Sequence, residues 1–316
     1  MAKKSGSAAA VTKSSATKTT TTTGENERVD YVDKTGKPSF VFVHGAWHSK
    51  ATWDHVTKEL VSRGYATSKL DLPGAGADAK RPASFAKRPL DAAAFGSEMS
   101  PNADVTQEDR TQSVINAIDE VKGYGNGKVV LVGHSLGGLT ISPVAERRPN
   151  DIHSVVYLTA FLLPPGMNGG ELIGHDTMAN GMVPGLFMAD PAEVGAMRWD
   201  SKSPDAAYMK KAREAFYGDL TDAQFDAALK GLHPDEPAAV AGEPSGVTKG
   251  AFGKVNRHYI RCTEDRAIPI EGQDWMIAEM DKVMGNKTTT HTMQASHSPF
   301  YSDVNGLCDI LVNIAS

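Results

Sequence analysis

The sequence predicts an α/β protein whose mostly parallel sheet carries helices on both faces. From Ser39 onward, short apolar runs rich in β-branched residues alternate with segments of helical periodicity, which is typical of βαβ units. The segment 128–132 (KVVLV) has the character of a central strand and leads directly into a glycine-rich turn. The chain has 316 residues and 40% hydrophobic content, which is enough for a large buried core.

The same alternation gives the elements in order. Strands are predicted at residues 39–44, 66–70, 128–132, 154–158, 256–262 and 288–293. Helices are predicted near residues 52–63, at 106–121, from the glycine turn to about Arg147, at 272–284 and at 304–314. Residues 80–101 are rich in Pro, Ala and basic side chains without a clean period, and they predict a long loop near the strand ends.

The strand and helix alternation is interrupted once, which divides the chain into three regions. Residues 28–163 and 251–316 are expected to form the α/β core, and residues 164–250, rich in Met, Gly and Pro, an inserted lid with amphipathic pieces at 205–216 and 222–229. Residues 1–27 consist largely of Lys, Ser, Thr and Ala and predict a disordered tail.

Composition argues against several classes of partner. A net charge of -5 does not indicate the basic surface that nucleic-acid binding requires. No stretch approaches the roughly 20 apolar residues of a membrane span. The tail lacks the apolar segment of a secretory signal, so a cytoplasmic location is expected. Cys262 and Cys308 have no metal-ligand spacing and are expected to be buried and unpaired. The oligomeric state stays open, a homodimer included.

A candidate nucleophile follows the central strand. Gly133-His134-Ser135-Leu136-Gly137 fits G-x-S-x-G, which is a weak signal by itself in a chain with 30 glycines. Here the motif stands between a strand and a helix, the arrangement that a nucleophile elbow requires. A side chain at Gly133 or Gly137 would crowd so sharp a turn. The sequence therefore predicts that Ser135 is exposed at the N-terminus of a helix, whose dipole favours developing negative charge.

A serine nucleophile needs a base, and chain order selects one. In strand-turn-helix serine hydrolases the acid follows a later strand and the histidine follows the last strand. His297 lies between the last predicted strand and the last helix, whereas its competitor His291 lies within that strand. The preceding strand ends at two adjacent carboxylates, Glu264 and Asp265, and spacing does not separate them. We predict His297 as the base and favour Asp265 as its acid.

The tetrahedral intermediate of acyl transfer also needs two backbone N–H donors. One is expected from Leu136, the residue after the nucleophile, and the other from the loop after the first strand, where we favour Ala46. His44 and His48 in that loop have no carboxylate cluster nearby, so no metal site is predicted. His134 and His153 are expected to be structural.

Four segments of the chain carry a resemblance to a known family. They are 40–48 (FVFVHGAWH), 131–138 (LVGHSLGG), 157–161 (YLTAF) and 263–269 (TEDRAIP). They resemble the α/β-hydrolase fold family, in particular plant methylesterases, hydroxynitrile lyases and bacterial pyrethroid-type carboxylesterases, over about residues 39–314. The resemblance implies Ser135, Asp265 and His297 as the triad and Ala46 and Leu136 as the oxyanion donors. Hydroxynitrile lyases carry a lysine after the catalytic histidine, where this chain has Ser298.

These observations favour hydrolysis of a carboxylic ester through an acyl-enzyme, without a cofactor and with a small molecule as substrate. Lyase chemistry on the same triad and a small-molecule receptor on the same fold remain alternatives. Soft apolar side chains of the lid predict a hydrophobic substrate, or simply form the core of the lid. The candidates for substrate contact are Trp47 from the first loop and Met188 and Trp199 from the lid.

Overall fold

The computed structural model of the chain describes residues 21–22, 27–30 and 36–316, with side chains from residue 36 onward apart from Asp78. In these residues the strands are β1 (Thr21–Thr22), β2 (Glu27–Asp30), β3 (Ser39–Val43), β4 (Thr67–Leu70), β5 (Val129–Ser135), β6 (Ile152–Ala160), β7 (Ala196–Arg198), β8 (Asp235–Pro237), β9 (Asn256–Cys262) and β10 (Thr288–Met293).

The helices include the five predicted for the core and both amphipathic pieces of the lid. They are α1 (Asp54–Ser62), α2 (Ala92–Ser97), α3 (Gln107–Val121), α4 (Gly137–Arg147), α5 (Gly169–Ile173), α6 (Pro191–Val194), α7 (Ala206–Phe216), α8 (Asp222–Leu229), α9 (Ala239–Gly242), α10 (Ile270–Val283), α11 (Pro299–Ser302) and α12 (Val304–Ile314). Within the described residues, no helix combines the length and apolarity needed to cross a membrane.

The main sheet confirms the predicted α/β architecture. Its strand order is β1-β2-β4-β3-β5-β6-β9-β10, and the six strands from β4 to β10 in that order pair in parallel. The carboxyl ends of parallel strands share one edge of the sheet, so the loops after β3, β5, β6, β9 and β10 gather there.

Helices cover both faces of this sheet, and alternate residues of the central strands point into two separate clusters. Val41 and Leu131 belong to the face covered by α3 and α4, whereas Phe42 and Val132 belong to the face covered by α1 and α12. All four side chains are fully buried. Burial on both faces explains why the strands are apolar without polar alternation.

The segment between β6 and β9 adds no strand to the main sheet. It contributes short helices, α7 and α8, and a separate antiparallel pair formed by β7 and β8. A buried ion pair joins these two strands, because Arg198 donates from Nε and Nη2 to the Asp235 carboxylate at 2.6 and 2.7 Å. This segment occupies the range predicted for the lid.

The predicted disordered tail, residues 1–27, is corrected at one point. Thr21–Thr22 and Glu27–Asp30 extend the main sheet as antiparallel strands beside β4. Their pairing uses backbone groups, which need no apolar side chains, so composition did not indicate it. The rest of the predicted tail, residues 1–20 and 23–26, lies outside the described residues.

The predicted long loop at 80–101 contains a short helix, α2. The Asp91 carboxylate accepts a hydrogen bond from Ala94 N at 3.0 Å and caps it, and three alanines with high helix propensity follow Asp91. The helix buries Phe95 completely. One buried aromatic in six residues gives no periodicity to detect, so the prediction of a loop throughout was wrong.

The packing predicts which apolar positions stabilise the fold. Leu311 of α12 is fully buried against the sheet, whereas Met99 is 61% exposed. We expect Leu311→Ala to lower the free energy of unfolding by about 2–5 kcal/mol, because it leaves a cavity. Met99→Ala should change it by less than about 0.5 kcal/mol. Urea unfolding of both variants measures the difference, and equal effects would contradict the packing.

Candidate active site

The turn between β5 and α4 places Ser135 in a strained backbone conformation. Its φ is +53°, a left-handed value that is uncommon for residues with a side chain. Glycines make the turn possible: a Cβ on Gly137 would lie 2.6 Å from His44 O, and one on Gly133 would lie 2.7 Å from Ile141 Cδ1. The first turn of α4 follows directly, so its N-terminal dipole faces the serine, as the motif predicts.

His297 and Asp265 meet at the same edge of the sheet. His297 lies after β10, and its Nδ1 is 2.7 Å from Asp265 Oδ2, in the loop after β9. Both side chains are buried. Because a carboxylate only accepts hydrogen bonds, Nδ1–H is the donor, and Nε2 is the ring nitrogen left for other contacts.

Asp265 is held by more than its histidine. Ala267 N and Ile268 N donate to Oδ1 at 2.7 and 2.9 Å, and Thr159 Oγ1 donates to the same Oδ2 that accepts from His297. Thr159 itself has a φ of +35°. Four donors fix the carboxylate, which leaves it few orientations other than the one that faces the imidazole.

The two competing residues point elsewhere. Glu264 is exposed, and its Oε1 accepts from Gln294 Nε2 at 3.0 Å. His291 lies within β10, and its Nε2 is 3.1 Å from His258 Nδ1 on the neighbouring strand. The structure therefore brings Asp265 to His297 and places Glu264 and His291 outside this contact.

The loop after β3 lies against the nucleophile turn. A Cβ on Gly45 would lie 2.7 Å from Ser135 Cβ, so only glycine permits this approach. Ala46 and Leu136 both line a pocket at Ser135. Neither backbone N–H of these two residues donates to another group among the described residues. Two unpaired donors beside the serine are what an oxyanion hole requires.

Histidines hold the carbonyl groups of this loop. His44 Nε2 accepts from Leu72 N at 3.1 Å, so its Nδ1–H donates to Gly45 O at 2.8 Å. His48 Nδ1 donates to Ala46 O at 2.7 Å, and its Nε2 accepts from the Tyr217 hydroxyl at 2.9 Å. Burial lowers the pKa of His44 and of His48 to about 3. Both rings are therefore neutral near pH 7.

His134, next to Ser135 in the chain, contacts the predicted base, His297. Its Nε2–H donates to His297 O at 2.9 Å, and burial lowers its pKa well below the usual value. His153 lies on β6, away from this edge, with Nδ1 3.2 Å from Ser154 Oγ. Among the residues that the structure describes, no group of three or more His, Cys, Asp or Glu side chains is arranged to hold a metal ion.

A pocket opens at Ser135 between the core and the segment predicted as the lid. Apart from Ser135 and Gly181, its described lining consists of apolar residues. They are Ala46, Trp47, Leu136, Phe161, Ile173, Met178, Val183, Pro184, Met197, Phe216, Ala267 and Ile268.

One of the three predicted substrate contacts lies on the wall of this pocket. Trp47 lines the pocket, but Trp199 and Met188 are not among the lining residues described above. Trp199 packs behind the wall, with its ring centroid 6.1 Å from that of Trp47 and 6.0 Å from that of Phe216. Met188 N donates to Arg198 O at 2.9 Å. A segment of short turns has no period that tells which apolar side chains face inward.

Sequence reasoning missed two residues that contact the predicted site residues. Thr159 donates to Asp265, and Glu236 on β8 accepts from the backbone N–H of Trp47 at 3.2 Å. A threonine at the end of a β-strand gives no signal of this contact, because the left-handed φ of Thr159 is not visible in the sequence. Glu236 lies in Pro234-Asp235-Glu236-Pro237, where a pair of acidic residues would ordinarily be solvated.

Comparison with known proteins identifies the family and agrees with the fold. The model of the alpha/beta hydrolase family matches residues 40–309. A pyrethroid hydrolase from Sphingobium wenxiniae is 26% identical over 275 residues, covering 87% of this chain and 86% of that protein. Methylesterase 9 from Arabidopsis thaliana is 27% identical, covering 87% and 97%. A pyrethroid hydrolase structure from Sphingobium faniae JZ-2 superposes with a TM-score of 0.69 at 24% identity, covering 88% and 97%.

The buried histidines predict a fold that is sensitive to acid. His44, His48 and His134 have lowered pKa values when folded, whereas histidines in the unfolded chain titrate near 6.5. The stability that these neutral histidines contribute is therefore fully present above about pH 6.5. It is lost as the pH falls from there toward the pKa values of the folded protein. We expect the free energy of unfolding in urea to fall, for each histidine, by about 1 kcal/mol per pH unit between pH 6.5 and pH 5.

The variant His48→Gln removes one of these titrations and should show a shallower dependence on pH. A free energy of unfolding that stays constant from pH 6.5 to pH 5 would contradict the neutral, buried state of these side chains.

Proposed function

Because the chain belongs to the alpha/beta hydrolase family, we propose that it hydrolyses a carboxylic ester through an acyl-enzyme on Ser135. One observation carries this proposal: a strained serine lies beside two unpaired backbone N–H groups, at the edge where a buried His297–Asp265 pair also lies. Strained backbone persists at functional sites when the surrounding structure holds it. The pyrethroid hydrolase and the methylesterase among the relatives support ester chemistry.

In this proposal His297 Nε2 takes the Ser135 hydroxyl proton as Oγ attacks the ester carbonyl carbon. The carbonyl oxygen becomes negative and accepts from Ala46 N and Leu136 N. His297 then gives the proton to the leaving alcohol as the C–O bond breaks, which leaves the acyl group on Ser135. Water, deprotonated by the same histidine, attacks the acyl carbon and releases the acid and the serine.

The proposed mechanism requires a contact between Ser135 and His297. Ser135 Oγ forms no hydrogen bond with another described residue, and this includes His297. Catalytic hydrogen bonds are often long in free enzymes and tighten when substrate binds. We therefore place the Ser135–His297 contact in the complex with the ester.

Asp265 has the role of orienting the imidazole and stabilising the imidazolium that forms in each step. Its four hydrogen-bond donors fix both of its oxygens, so the histidine keeps Nδ1–H toward the carboxylate. Nε2 then remains the basic nitrogen.

The pocket supports an uncharged ester with an apolar group. Its described lining has no charged side chain, and Trp47, Phe161 and Phe216 offer aromatic surface beside Ser135. Desolvating an ionised group there would cost several kcal/mol without a partner. Esters with hydrophobic acyl or alcohol groups are the proposed substrate class.

The role of Ser135 can be tested directly. We expect a fluorophosphonate probe to label the chain and p-nitrophenyl esters of graded acyl length to be hydrolysed. Ser135→Ala should abolish labelling and lower kcat by a thousandfold or more, because no other group there can form the acyl-enzyme. Ser62→Ala, on the exposed surface of α1, is the control and should keep both activities. Near-normal turnover by Ser135→Ala would refute the assignment.

The acid can be tested by exchanging each carboxylate for its amide. Asp265→Asn should lower kcat by about 10³ to 10⁴, because an amide facing Nδ1 favours the wrong tautomer of His297. Glu264→Gln removes a charge one residue away and should cost less than about tenfold. Activity on one activated ester gives the comparison, with circular dichroism to verify the fold. A larger loss from Glu264→Gln would move the acid to that residue.

A further inference from the structure

We infer that Glu236 is a positioning residue for the oxyanion hole: it holds the left-handed backbone of Trp47 and so fixes the neighbouring Ala46 N–H toward the substrate. The inference rests on the proposed ester hydrolysis. It assigns a role in that reaction to a carboxylate of the segment between β6 and β9.

The backbone of Trp47 is held at both of its polar groups. Its N–H donates to Glu236 Oε2 at 3.2 Å, and its carbonyl accepts from His233 N at 2.8 Å. The indole Nε1 donates to Met197 O at 2.8 Å. All three partners belong to the segment between β6 and β9, so that segment determines where this residue of the β3 loop lies.

Holding is needed because the conformation of Trp47 is unfavourable. Its φ is +61°, and a bulky residue rarely adopts left-handed backbone unless the surroundings impose it. Trp47 directly follows Ala46, so a change in its backbone would rotate the peptide group between the two residues and, through Ala46, shift the preceding peptide group that carries the Ala46 N–H. The proposed oxyanion donor would then point away from the carbonyl oxygen of the substrate.

The charge of Glu236 is compensated where it lies. The side chain is fully buried, and its Oε1 accepts from Arg110 Nη1 on α3, whose Nε also donates to Pro73 O at 3.1 Å. A bare carboxylate would oppose the negative charge that develops in the oxyanion hole, whereas the paired one adds no net charge. Arg110 thus allows an acidic side chain to hold the loop without repelling the intermediate.

The neighbouring ion pair of Asp235 with Arg198 provides a comparison for the pair of Glu236 with Arg110. Asp235, the residue before Glu236, accepts both of its bonds from Arg198 and none from the β3 loop. The two acids lie on the same strand, and each is buried with an arginine. Only Glu236 of the two also accepts from Trp47 N, and this makes Asp235 a matched control for that contact.

The test exchanges each acid for its amide. Glu236 accepts from two donors, one at each oxygen, and a glutamine has only one oxygen, so Glu236→Gln must place its NH₂ group against Arg110 or against Trp47 N–H. The amide oxygen should face Arg110, because a charged donor forms the stronger hydrogen bond, and the NH₂ group then faces Trp47 N–H. We expect kcat to fall about 10- to 100-fold, less than the 10²- to 10³-fold loss of an oxyanion donor. KM should stay within about twofold, because the contact matters most in the transition state.

Affinity for a trifluoromethyl ketone, which forms an oxyanion on Ser135, should fall in parallel with kcat/KM. Asp235→Asn should keep kcat within about threefold even where its melting temperature falls as much as that of Glu236→Gln. If Glu236→Gln does not fold, the double variant Arg110→Met with Glu236→Leu replaces the pair by apolar groups, a change that folds tolerate, and it removes the same contact. A kcat near that of the wild type, or equal losses for both acids, would overturn the inference.

A second readout does not depend on esterase activity. The chain has four tryptophans, so ¹⁵N-tryptophan labelling gives four backbone amide signals, and Trp47→Phe identifies the one of interest. Hydrogen exchange at Trp47 N should accelerate at least tenfold in Glu236→Gln and stay unchanged in Asp235→Asn. Unchanged exchange in both would overturn the contact. A wild-type chain that hydrolyses no ester would overturn the proposed function, and the exchange result would still decide whether Glu236 holds the loop.

Discussion

The parallel pairing of β3 with β5 is the contact on which the rest of the site depends. Its register sets Val43 opposite Gly133, so the loop after β3 and the turn after β5 leave the sheet side by side. They come close enough that a side chain on Gly45 would overlap Ser135. Backbone donors from two segments about ninety residues apart therefore lie around one serine.

This closeness is maintained by strain and by neutral buried polar groups. The non-glycine residues of the described chain with left-handed φ are Trp47, Ser135 and Thr159, and each belongs to the site or contacts it. Strain of this kind persists only when neighbouring contacts fix the backbone. Here His44 and His48 occupy loop carbonyls, and burial keeps both imidazoles uncharged, so the loop is held without adding charge beside the nucleophile.

The segment between β6 and β9 does two things at once. It supplies apolar walls, with Met178 and Phe216 facing the pocket, and it contacts the β3 loop through polar groups behind that wall. The buried Arg110–Glu236 pair ties this segment to α3 of the core. Residues that line the pocket and residues that contact the β3 loop therefore belong to one insertion, so a shift of this insertion would move both.

The sequence by itself determined the α/β fold, the strand order along the chain and the turn that exposes Ser135, because these follow from local periodicity and from glycines at fixed spacing. It also reduced the candidates for base and acid to His297 and two adjacent carboxylates. Tertiary structure shows that Asp265, and not Glu264, contacts His297, since equal spacing says nothing about which side chain turns inward. It alone identified Glu236, because a buried acid is recognised by its partner, and that partner lies more than a hundred residues away.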